Sequence, residues 1–169
     1  MKKLAVALGL AILLSSPAYS AGCYTAREVE AEQALRIHSE LMVIGLTCLK
    51  MPQGQQMYLK YQSFTQKNQV LLASYETELI SFYRNAGYDS PEKKLHTLRT
   101  TLANQISQHA ITMSTSTFCR TYGSRVDKAL AMDQQKIRRW AQFSFAGSPT
   151  SQPMCASSRV AASRQHIVR

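Results

Sequence analysis

The chain lacks every short signature of catalysis or cofactor attachment that spacing alone can reveal. Cys-x-x-Cys, Cys-x-x-Cys-His, His-Glu-x-x-His, Gly-x-Ser-x-Gly and Gly-x-x-x-x-Gly-Lys-Ser/Thr are all absent. Their absence removes, at the level of motifs, thioredoxin-like redox, covalent haem, zincin, serine-hydrolase and P-loop chemistry. Paired carboxylates are scarce too. Glu76 and Glu78, two residues apart, would leave a helix on different sides, and Glu28, Glu30 and Glu32 gather at a helix start, where the macrodipole favours acids. Period-two alternation and Asn-Gly or Asp-Gly turns are also missing, so no strand is expected. The expectation is a protein that is not an enzyme and carries no cofactor.

Long hydrophobic runs are confined to one place. Leu4 to Leu14 form an apolar stretch of eleven residues behind Lys2 and Lys3, and Ser15, Ser16 and Pro17 break it before Ala18-Tyr19-Ser20. This three-part pattern predicts a secretory signal peptide over residues 1–20, cut before Ala21, with a cut after Ala18 as the second choice. Eleven residues are about half of the roughly 20 a bilayer-spanning helix needs. The next run, Leu41 to Leu49, is interrupted by Gly45, Thr47 and Cys48, so no transmembrane anchor is expected. A periplasmic or secreted location follows.

Cysteine is scarce, and its number is even. Cys23, Cys48, Cys119 and Cys155 in an exported chain point to two disulfides. The alternative for Cys23 is lipidation just after the cut, but acylation signals want an aliphatic residue three positions before the cysteine, and that residue is Ser20.

Glycine and proline are few and sit together, at Pro52 with Gly54, Gly87 with Pro91, Gly123, and Gly147 with Pro149 and Pro153. The stretches between them favour helix. Thr25 and Glu28 form a capping box, followed by Ala34, Ile37, Leu41, Ile44 and Cys48 at helical spacing. A second helix, from about Gln55 to Asn85, carries Met57, Tyr61, Phe64, Leu71, Tyr75, Leu79 and Phe82. Ser90-Pro91 opens a third, with Leu95, Leu98, Leu102, Ile106, His109 and Met113 on one stripe. Ser114 to Thr117 are poor helix formers, and its last turns are expected to be irregular. Ser124 and Asp127 restart a fourth with Val126, Leu130, Ile137, Trp140 and Phe143.

The fold class predicted is all-α, an up-down-up-down four-helix bundle of long helices with two disulfides and an irregular C-terminal tail. It occupies residues 21–146, and the Ser/Ala/Pro/Arg-rich tail at 147–169 is tied back by Cys155, with a short helix possible over 157–166. In such a bundle Cys48 and Cys119 fall at one end and Cys23 and Cys155 at the other, which favours that connectivity among the three possible.

Acidic charge is absent beyond Asp133, while the whole chain carries +10, or +8 without Lys2 and Lys3. Lys136, Arg138 and Arg139 beside Trp140, followed by Arg159, Arg164 and Arg169, form a basic region. Its expected partners are an envelope protein or an anionic envelope surface, not nucleic acid. A solvated face that keeps the protein soluble is the plainer account. Two further pairs, His38 with Met42 and His109 with Met113, each place an imidazole and a thioether on one helix face. That chemistry suits copper, but the helical phase of each histidine relative to its cysteine argues against their converging, and methionine is commonly core filler. The leading functional expectation is an exported non-enzymatic binding or structural module of the bacterial envelope. The alternative is a small periplasmic metal- or haem-binding carrier using the His/Met pairs.

Overall fold

The computed structural model describes residues 22–143 and 149–156, with the Phe143 side chain left aside. The expected signal peptide, the start at Ala21, the three tail arginines and the short helix over 157–166 lie outside the described residues. Within them the chain is all-helical, with α1 (Ala26–Thr47), α2 (Gly54–Lys67), α3 (Gln69–Asn85), α4 (Pro91–Met113), α5 (Thr115–Tyr122), α6 (Ser124–Leu130) and α7 (Gln134–Phe143). The only extended pairing among the described residues is an isolated parallel bridge between Tyr24 and Met154.

Three of the four long helices expected from the sequence are broken, each for a local reason. The stretch from 55 to 85 kinks at Asn68, whose buried Nδ2 donates to the Phe64 carbonyl at 2.9 Å. That side chain competes for a carbonyl the helix ladder already uses, yet Asn68 N still reaches Phe64 O at 3.1 Å and Leu72 N reaches Asn68 O at 2.9 Å. The result is a bend between α2 and α3. Ser114 takes φ 67, a left-handed value that ends α4, and Phe118 N then bonds Ser114 O at 3.0 Å to start α5. Between α6 and α7, Asp133 Oδ1 accepts from Lys136 N at 2.8 Å. Lys67 Nζ donates to Leu130 O at 2.9 Å and Met132 O at 3.0 Å, capping the end of α6 from a distant helix.

The first helix starts as its sequence dictates. Glu28 N donates to Thr25 Oγ1 at 3.4 Å and Thr25 N to Glu28 Oε2 at 2.6 Å, closing the capping box. Its packing corrects the expectation of a single apolar face. α1 touches α2, α3, α4 and α7, and also α5 and α6, so it is the central element. Leu35, Ile37, Leu41 and Ile44 are buried, and so are Glu28, Glu32, Gln33, His38, Ser39 and Glu40. A helix enclosed on most sides must bury polar groups, and each one left without a partner costs free energy.

Two disulfides staple this arrangement. Cys48, at the end of α1, is bonded to Cys119 in α5, and Cys23, before α1, is bonded to Cys155. Residues 149–156 run back along the start of α1 as a strap. Tyr24 N donates to Pro153 O at 2.7 Å and Cys155 N to Tyr24 O at 2.8 Å. Ser151 donates both its N–H and its hydroxyl to the buried Glu32 carboxylate. No helix of the described residues is long and apolar enough to cross a membrane.

Candidate functional site

A cleft of about 1030 Å³ opens where α4, α5, α6 and α7 meet the side of α1. Ligand pockets commonly span roughly 300–1,000 Å³, so this one is large enough to hold a small organic molecule. One part of its wall is apolar or aromatic: Ile106 from α4, Phe118 and Tyr122 from α5, Met132 from the α6–α7 turn and Trp140 from α7. Three fixed cations share the lining, Arg36 from α1 and Arg125 and Lys128 from α6, against a single carboxylate, Glu40.

The two arginines differ in how far they are used. Arg36 is spent within the fold: Nε donates to Gln33 at 3.2 Å, Nη1 to Gln105 at 3.1 Å and Nη2 to Pro149 O at 3.1 Å. Among the described residues Arg125 is held by two groups, Glu40 Oε1, to which Nη1 donates, and the Tyr122 ring, 4.8 Å from the guanidinium carbon. A guanidinium carries five N–H donors, so most of those on Arg125 have no partner among the described residues. Lys128 sits three residues on along the same helix and forms no ion pair among the described residues. Together they make a cationic corner beside an aromatic wall.

Glu40 is the anomaly of the site. It is 8 % exposed, and its Oε2 is buried with no hydrogen-bond partner among the described residues. Burial raises the carboxyl above its ordinary value, opposed by Arg125 and by His109. A half-satisfied buried carboxylate costs free energy on the order of 1–3 kcal/mol. Such groups gather at functional sites more than chance allows.

A second, shallower cleft of about 590 Å³ lies across the bend between α2 and α3. His38, Tyr61, Thr65, Glu76 and Arg99 contribute to it. The His38 Nε2 is 3.1 Å from Thr65 Oγ1 and 3.4 Å from the Tyr61 hydroxyl, and burial, with Arg99 adding to it, lowers the imidazole to about 4.

The structure thus separates the two histidines proposed from sequence. His38 faces the second cleft and His109 the first, so the His38/Met42 and His109/Met113 pairs do not converge. Among the described residues no three His, Cys, Asp or Glu side chains stand close enough to hold a metal ion. The basic trio is divided as well. Lys136 pairs with Asp133 at 3.7 Å, and Arg138 pairs with Glu30 at 3.3 Å while lying over the Tyr75 ring. Arg139 is exposed and forms no ion pair among the described residues.

Sequence reasoning missed Glu30, Glu40 and Arg125. Glu30 is a junction rather than a solvated helix-start acid: it accepts from the Tyr75 hydroxyl at 2.6 Å, from Arg138, and from Gln142 Nε2 at 2.7 Å, tying α7 to α1 and α3. Glu40 carried a signal, because it stands between the apolar positions Ile37, Leu41 and Ile44 on a helix too apolar to have a fully wet face. Arg125 carried none. No protein family, curated protein or solved structure matches this chain. The disulfides place its folding in an oxidising environment outside the cytoplasm.

Proposed function

We propose that this protein is an exported, non-enzymatic binding module of the bacterial cell envelope that holds a small amphipathic molecule in the cleft beside Glu40. The observation that carries the reading is the cleft itself, in which the aromatic and aliphatic wall of Phe118, Tyr122, Met132 and Trp140 meets the underused cations Arg125 and Lys128. Such a surface suits a ligand with an apolar body and a polar end. The signal-peptide pattern over residues 1–20 supports export, and the two disulfides agree with a periplasmic or secreted site of action. An up-down-up-down course of the four helical stretches remains our reading of the chain path. It is supported by the bridges, which join the ends that such a course brings together.

The surface formed by Lys136, Arg138 and Arg139 is the weaker candidate for a partner site, since two of the three side chains serve intramolecular ion pairs. The metal- or haem-carrier alternative gains nothing from histidines that open into different clefts.

Trp140 is the only tryptophan in the chain and lines the proposed site. Titrating the disulfide-bonded protein with monomeric dodecanoate and, separately, with uncharged dodecyl glucoside should give a saturable change in Trp140 fluorescence with at least one of them. A folded protein that responds to neither overturns the reading.

A further inference from the structure

The Glu40–Arg125 pair stands where a ligand's own anionic group would be expected. Arg125 lines the cleft and rests on the Tyr122 ring, and among the described residues its carboxylate partner is Glu40. Glu40 comes from the buried core of α1 and presents one oxygen to Arg125, while the other has no partner among the described residues. Lys128, which forms no ion pair among the described residues, adds a second cation to the same lining, and the apolar wall continues to Trp140.

Building on the cleft as a ligand site, we propose that the ligand is an organic anion with an apolar body, whose carboxylate or phosphate head displaces Glu40 from Arg125. Before the ligand binds, Glu40 neutralises Arg125, and the ligand head takes over that role. Glu40 then remains buried without its cation, and a carboxylate so placed takes a proton from solvent. The exchange balances: one anion and one proton enter, the Glu40–Arg125 pair opens, the head pairs with Arg125, and Glu40 becomes neutral. The titratable and charged groups around Glu40 are Arg125 and Lys128 from α6, His109 from α4, Tyr122 from α5 and Arg36 on α1 itself. His109 shares the cleft with Glu40, so H109Q serves as the control for proton uptake elsewhere in the lining. The alternative source of the same head-group chemistry is a lipid held in a bilayer, and a cleft of this volume, lined from five helices, favours a single free molecule.

The test is calorimetric titration of the full disulfide-bonded protein at pH 6 with monomeric dodecanoate, in two buffers of different ionisation enthalpy. Dodecyl glucoside, inorganic phosphate and phosphatidylglycerol vesicles are run alongside. The expected results are binding of dodecanoate with net proton uptake, and weaker binding of both the glucoside and inorganic phosphate. E40Q, which removes the competing charge, should bind dodecanoate several-fold more tightly and without proton uptake, R125Q should bind more weakly, and H109Q should keep the uptake. Wild-type binding without proton uptake, or uptake that survives in E40Q and vanishes in H109Q, overturns the exchange. Equal affinity for dodecanoate and the glucoside overturns it too, while leaving the cleft as a binding site. Response to vesicles without response to dodecanoate moves the anion to a membrane surface and sinks this proposal. The wild-type buffer comparison needs no variant, so a misfolded E40Q would not shield the idea.

Discussion

His38 is a buried titratable group on the central helix, and its hydrogen bonds assign its proton. Thr65 Oγ1 donates to the Tyr61 carbonyl at 3.1 Å, which leaves that hydroxyl oxygen to accept from His38 Nε2–H. The neutral ring fits this arrangement, and burial together with Arg99 lowers its pKa to about 4. In the unfolded chain it returns to an ordinary value near 6.5. Between those two values the unfolded state binds the proton and the folded state does not. Stability therefore falls as pH is lowered through that window, by up to about 3 kcal/mol from this residue. Urea denaturation of wild type and H38Q at pH 7 and pH 4.5 measures it. The wild type should lose more stability than H38Q between the two values, and equal losses would show that His38 is not the group responsible.

At the scale of elements, the α1–α2 turn holds the tightest glycine among the described residues. Met51 N bonds Cys48 O at 2.8 Å and Gly54 N bonds Met51 O at 2.9 Å, folding the chain tightly over the end of α1. A Cβ on Gly54 would clash with the Cys48 carbonyl oxygen, a backbone atom that Cys48, bonded to Cys119, cannot readily move. G54A should destabilise the fold by more than the roughly 0.5–3 kcal/mol of an ordinary substitution, read as a lower urea midpoint. An unchanged midpoint would mean that the turn repacks freely. Glycine and proline marked this turn in the sequence, and the helical stretches themselves were legible from spacing and caps. The breaks were less so. Ser114 lay in a stretch of visibly poor helix formers, whereas Asn68 and Asp133 act through a long-range core and a cap that local propensity does not rank highly. The cleft was not legible, because Glu40, Arg125 and Trp140 come from separate elements and meet only once α1 is enclosed.

At the scale of the whole molecule, the two disulfides hold different things and should respond differently to reduction. Cys48 is fully buried and Cys119 nearly so, inside the packing of α1 against α5. Cys23 and Cys155 are only half-buried and join the strap to the start of α1 across 132 residues of sequence. A loop that long can contribute on the order of 5 kcal/mol by restricting the unfolded chain, in the entropic account. Accessibility nevertheless governs which bridge meets a reductant first. Brief exposure to a phosphine reductant, followed by alkylation and peptide mapping, should label Cys23 and Cys155 before Cys48 and Cys119. The strap keeps other holds after its bridge opens: the Tyr24 backbone pairs with Pro153 and Cys155, Ser151 binds Glu32, and Arg36 binds Pro149 O. The partly reduced protein should therefore retain its helical circular dichroism while its Tm falls. Because Pro149 also lines the cleft, the same species should show weaker dodecanoate binding if the strap helps shape that wall. Labelling of Cys48 and Cys119 first would mean that the end of α1 opens more readily than its packing implies, and would reverse the order of stability assigned to the two ends of the molecule.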